Sequence, residues 1–178
     1  MAGKRDVIVI LWNIRSLFNV GSIFRTADGA GVSKIYLAGY TPAPVDVFGK
    51  YRPQIAKVSL GAEKSVKWEK AAKSAQGTVS LIKKIKKEGY QILAVEQAKR
   101  SINIFSASGG SALGGKFKQA NRSDRFCLIM GNEVSGLPPI ILKSANKILE
   151  IPMRGKKESL NVSVAFGIVA YLLAPQNY

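Results

Sequence analysis

Three stretches place small polar or charged residues at the mouths of apolar runs: "NVGSIFRTADGAG" with Asn19, Gly21 and Arg25, "LIMGNEVSGLPP" with Glu133, and "IPMRGKKESLNVSVAFGIVAYLL" with Ser159, Asn161 and Ser163. An arginine in the first turn and a half of a helix can receive a phosphate or ribose oxygen on its fork of donors. Asn19 can cap that helix, and Gly21 allows a close backbone approach. Glu133 stands out because 27 Lys and Arg face only 11 Asp and Glu. Ser159 or Asn161 can cap the last helix, which accounts for one polar residue but not for three at alternating positions. Arg154, Lys156 and Lys157 stand just before them, suited to a phosphate backbone. Histidine is absent. Ser-His-Asp and Cys-His nucleophiles, histidine zinc sites and histidine general bases are therefore excluded.

The elements that must position these residues alternate. "VIVILW" (Val7 to Trp12) is a continuous apolar run, as in a buried parallel strand. Val20, Ile23, Phe24, Ala27 and Ala30 then recur at helical spacing, with Arg25 on the opposite face and Gly29 and Gly31 as stops. "KIYLAGY", "YQILAVEQ", "FCLIMG" and "KILEIPM" read as further strands. "VSLIKKIKKEG", the proline-led "PPIILKSA" and Leu160 to Leu173 read as helices. Alternating strands and helices predict an α/β fold with a mostly parallel sheet flanked by helices. At 178 residues, the expectation is a single domain over 1–178 without a separate second domain. Ligands of such sheets bind beyond the carboxyl ends of the strands, where all three polar stretches fall.

A formal charge of +16 points to a polyanionic partner, foremost nucleic acid. No apolar run is long enough to span a membrane, and none reads as a cleavable signal. The single Cys127, inside "RFCLIMG", suits a buried thiol in a reduced cytoplasm. The glycine-rich "GSALGGKF" mimics a phosphate loop up to its lysine, but Phe117 stands where a metal-binding Ser or Thr is required. The surrounding Ser106 to Asp124 stretch reads as a loop.

Together, "NVGSIFRTADGAGV", "LIMGNEVSGL" and "IPMRGKKESLNVSVA" resemble, in order, the three motifs of the SpoU (TrmH-type) RNA 2′-O-ribose methyltransferases of the SPOUT superfamily. The resemblance runs from Asn13 to Tyr171. It implies an α/β sheet whose C-terminal part forms a deep trefoil knot, a rare exception to unknotted topology. It implies S-adenosylmethionine as cofactor, held by Gly131, Ile151, Met153, Ser159 and Leu160, and a site completed by the second subunit of a homodimer. Arg25 would be the main catalytic residue, with Asn19, Glu133, Ser159 and Asn161 shaping the site and no metal required. RNA, transfer or ribosomal, would meet Arg25, Arg154, Lys156 and Lys157, and Ser163 would lie at a packed junction. Arginine stays protonated at neutral pH, so Arg25 is expected to bind phosphate and stabilise a developing alkoxide rather than act as a base. The alternatives are a catalytically silent RNA-binding protein of the same fold and a base-methylating relative.

Overall fold

The computed structural model describes residues 5–105 and 125–174. The glycine-rich stretch over 106–124, with its phosphate-loop look-alike, lies outside them. In chain order the elements are β1 (Asp6–Trp12), α1 (Leu17–Gly29), β2 (Lys34–Ala38), α2 (Pro53–Ser59), α3 (Ala62–Ser65), β3 (Lys67–Ala72), α4 (Ala75–Lys87), β4 (Gln91–Val95), β5 (Ile102–Asn103), β6 (Arg125–Met130), α5 (Pro139–Ser144), β7 (Lys147–Glu150) and α6 (Val162–Leu173). All described strands pair parallel, in the order β3-β2-β1-β6-β4-β7-β5.

The apolar run of β1 is buried on both faces because helices cover both sides. Val7, Val9 and Leu11 enter the core under α1 and α6, whereas Ile8, Ile10 and Trp12 enter the core under α4 and α5. The layers are therefore helix, sheet, helix. Lysines 83, 84, 86 and 87 lie on the exposed face of α4, opposite the buried Ile82 and Ile85. Cys127 is buried in the centre of β6. Among the described residues, no helix is long and apolar enough to cross a membrane.

Several expected boundaries move. The strand expected over "KIYLAGY" ends at Ala38, where Gly39 takes a positive φ of 62° and the chain turns away. The strand expected over "KILEIPM" ends at Glu150, because β4 and β5 offer pairing partners only that far. The last helix begins at Val162 rather than Leu160, with Asn161 as its N-cap. β3, whose "KWEKAA" carries no apolar run, is an edge strand and so escapes the buried-strand pattern.

α1 starts at Leu17 with Ser16 as N-cap, whose hydroxyl accepts the Asn19 N–H at 3.2 Å. Asn19 therefore does not cap α1, and its side chain is free for other partners. Arg25 lies about two and a half turns past that cap, not in the first turn and a half. Gly21 is an obligatory small residue: a Cβ there would stand 2.8 Å from the Ile55 carbonyl oxygen of α2.

Candidate active site

A cleft with about 190 Å³ of internal space opens at the carboxyl ends of β4, β6 and β7. Its apolar wall comes from Met130, Leu149, Ile151, Met153, Leu160 and Val162. Three carboxylates, Glu96, Glu133 and Glu150, line it as well, in a chain that has 11 acidic residues altogether. Glu96 accepts the Leu137 N–H at 2.9 Å and the Gln97 N–H at 3.1 Å, and Glu150 accepts the Ser101 hydroxyl at 2.5 Å. Among the described residues none of the three has an ion-pair partner. Their negative charge is left to act on whatever enters the cleft.

Glu133 is the most heavily hydrogen-bonded of them. Its carboxylate accepts the N–H groups of Arg15 at 3.0 Å and Ser16 at 3.1 Å, and the Asn19 amide Nδ2 at 3.0 Å. Partial burial pushes its pKa up, but these hydrogen bonds outweigh that and hold it below the ordinary carboxylate value. The chain of contacts continues: Asn19 Oδ1 accepts Asn161 Nδ2 at 3.1 Å, and Asn161 Oδ1 accepts the Ser163 N–H at 2.9 Å and hydroxyl at 2.7 Å. One network thus joins the turn after β6, the start of α1 and the cap of α6. It uses Asn161 and Ser163 of the alternating polar trio, while Ser159 lines the cleft.

The turn that presents Glu133 is built by Asn132. Its Nδ2 donates to the Asn13 carbonyl at 2.7 Å and the Tyr40 hydroxyl at 2.9 Å, and its Oδ1 accepts from the N–H groups of Val134 and Ser135. Sequence reasoning passed over Asn132 as a site residue, although an Asn opening a turn after a buried strand is a known signal. Glu96, too, was passed over; an acid directly after an apolar strand in so basic a chain was the available clue.

Gly131 permits this turn. A Cβ there would stand 2.7 Å from the Gly136 carbonyl carbon and 2.9 Å from the Leu137 nitrogen, both backbone atoms. Gly131→Ala is expected to lower the unfolding free energy by about 1–3 kcal/mol, read as a shifted urea midpoint.

Of the residues singled out from sequence, Gly131, Glu133, Ile151, Met153, Ser159 and Leu160 line the cleft, and Asn19 and Asn161 join it through Glu133. Arg25 does not line it. The side chain of Arg25 is exposed, and among the described residues it has no hydrogen-bond or ion-pair partner. It lies six positions from Asn19, roughly 120° around the helix. Arg154, Lys156 and Lys157 are exposed on the loop between β7 and α6.

A parallel α/β sheet with a charged cleft at its strand ends, where β6 is inserted between β1 and β4, defines a ligand-binding α/β protein of the switch-point kind. The chain belongs to the SpoU rRNA Methylase family, which it matches over residues 6–171. It is 32% identical over 168 residues to a tRNA (guanosine(18)-2′-O)-methyltransferase of Aquifex aeolicus, covering 94% of this chain and 68% of that protein. It is 28% identical over 163 residues to a 23S rRNA (guanosine-2′-O-)-methyltransferase of Neisseria meningitidis, covering 92% of this chain and 56% of that one. An AdoMet-bound rRNA methyltransferase from Sinorhizobium meliloti shares the fold at a TM-score of 0.73 and 25% identity, over 97% of this chain and 56% of its own. The chain therefore spans little more than half the length of two of these three relatives.

Proposed function

We propose that the protein transfers a methyl group from S-adenosylmethionine to a ribose 2′-hydroxyl of transfer or ribosomal RNA, as a homodimer with a knotted C-terminal segment. The observation that carries this reading is the cleft itself: apolar side chains together with three carboxylates that lack an ion pair among the described residues suit a flat heteroaromatic ring attached to a cationic group. The backbone N–H groups of Met153 and Leu160 have no partner among the described residues, so they are free to hold a ligand's polar atoms. Gly131, Ile151, Met153, Ser159 and Leu160 would hold the cofactor. When bound, it supplies an electrophilic methyl on a positively charged sulfur.

The chain's own work is positioning and charge. Glu133, fixed by three donors, orients Asn19 and through it Asn161 at the mouth of the cleft. Arg25 keeps its proton, holds a phosphate beside the target ribose and stabilises the alkoxide as the hydroxyl proton leaves to phosphate or water. Since Arg25 stands away from its own cleft, it serves the cleft of the second subunit. Phe18 on α1 and Val164, Tyr171 and Leu172 on α6 are exposed apolar side chains, which supports α1 and α6 as the dimer face. The strand order supports the knot, because β6 enters between β1 and β4 before residues 151–161 return to α6.

The test is incubation with methyl-labelled S-adenosylmethionine and total RNA, followed by alkaline digestion. Label in alkali-resistant dinucleotides is the expected result. Label in a base, or cofactor binding by calorimetry without transfer to any RNA, would contradict the reading.

A further inference from the structure

We propose that the turn at Val45–Tyr51, with Phe48 at its apex, is a stacking platform for unpaired bases of the RNA that the cleft acts on. The inference rests on the functional reading above and adds how the RNA is held.

The connection 39–52 between β2 and α2 is rooted at the cleft. The Tyr40 N–H donates to Asn13 Oδ1 at 3.1 Å, and the Tyr40 hydroxyl accepts Asn132 Nδ2 at 2.9 Å. Further out, Val45 and Tyr51 pair antiparallel, and Asp46 closes the turn. Its Oδ1 accepts the N–H groups of Phe48 at 2.8 Å and Lys50 at 2.9 Å, and its own N–H donates to the Lys50 carbonyl at 2.8 Å. Gly49 supplies the positive φ of 78° that the turn requires. Hydrogen bonds hold this turn, not packing. Yet its apex presents Val47 and Phe48 at 89% and 83% exposure, where polar residues would close the turn equally well.

The surroundings say what would cover Phe48. Lys50 is exposed beside it, and the half-exposed Tyr51 ring lies under the Lys64 ammonium at 5.1 Å. Arg52 follows in the chain, and Lys70 donates to the Thr41 carbonyl of the same connection; burial first, then repulsion from Arg52 and Lys73, lowers the Lys70 pKa. The one acid of the turn, Asp46, is turned onto backbone donors. Exposed aromatics among cations bind single-stranded nucleic acid: bases stack on rings while phosphates meet the charges. The dimer face proposed above lies on α1 and α6 rather than on this turn, and the cations around Phe48 favour a polyanion over a second basic chain.

The experiment uses the full chain, an unstructured oligoribonucleotide of about 15 nucleotides and a duplex of equal length at one ionic strength. Phe48→Ala is expected to weaken single-strand binding by about 10-fold, one base's worth of stacking, and duplex binding by less than about twofold. Phe48→Trp should keep the affinity, and the single strand should quench its added emission. Unchanged single-strand affinity in Phe48→Ala, equal loss for both RNAs, no quenching, or no RNA binding by the wild type would each overturn the proposal. So would quenching by anionic phospholipid vesicles in place of RNA, or a change of sedimenting mass in Phe48→Ala. Wild-type methyl transfer with Phe48→Ala binding unaltered would remove this inference alone. Phe48-dependent binding without any methyl transfer would remove the functional reading and, with it, the link to the cleft, leaving of this proposal only that Phe48 stacks unpaired bases.

Discussion

Arg25→Ala is expected to lower methyl transfer about 100- to 1,000-fold, the loss seen when a preorganised donor to a developing oxyanion is removed. Its folding should change by less than about 0.5 kcal/mol, because the side chain is exposed and holds nothing else among the described residues. S-adenosylmethionine affinity should also be unchanged, since Arg25 does not line the cleft. Arg25→Lys keeps the charge but loses the planar fork, so it should still lose at least about 10-fold. Near-full turnover in the lysine variant would show that charge alone suffices.

The position of Arg25 allows a sharper test. Leu160→Arg, at a partly exposed residue on the cleft wall, should block the cofactor without unfolding the chain. If Arg25 serves the partner's cleft, mixed dimers of Arg25→Ala and Leu160→Arg subunits contain one site with both an intact cleft and an intact arginine. Mixing two inactive proteins should then restore activity to about a quarter of wild type, since about half of randomly paired dimers are mixed and each has one working site of two. No recovery on mixing would place the arginine's work within its own subunit and remove the reason for a shared site.

Much of this was legible in the sequence, and unevenly so for physical reasons. β1 and β6 were plain because a strand buried on both faces must be apolar throughout. β3 was hidden because an edge strand half in water can read "KWEKAA". The turn after β6 drew attention to Glu133 by residue type alone, whereas Gly131 and Leu160 were expected at the cleft only through the family resemblance, because nothing in their spacing brings residue 160 beside the end of β6. Capping was not legible: Ser16 and Asn19 both qualify by type, and the choice depended on where Glu133 draws the Asn19 amide. That Arg25 stands outside the cleft of its own chain lies beyond any helical pattern, because periodicity gives the outward face of α1 but not what meets it.

Glu133→Gln separates the orienting role of this carboxylate from its shape. The glutamine has one acceptor oxygen where the glutamate offers two, so the N–H groups of Arg15 and Ser16 and the Asn19 amide cannot all be satisfied. Charge-assisted bonds of this kind are worth about 1.5–3 kcal/mol together with the penalty for an orphaned donor, and partial exposure reduces that to about 1–2. Activity should fall about 10- to 100-fold, because Asn19 loses its orientation and with it the hold on Asn161. The pH dependence identifies the cause. The folded-state pKa of Glu133 is depressed, so its stabilisation is fully present above the ordinary carboxylate value of about 4.3 and is lost as pH falls through the folded value. The stability gap between wild type and Glu133→Gln, measured by urea melts, should hold steady from about pH 7 to 5 and shrink below about pH 4. A gap that persists undiminished in acid would mean that shape, not charge, holds the start of α1 against the turn after β6. A double-mutant cycle with Asn19→Ala should then give a coupling below about 0.5 kcal/mol, and the network would lose its claim to orient Asn161.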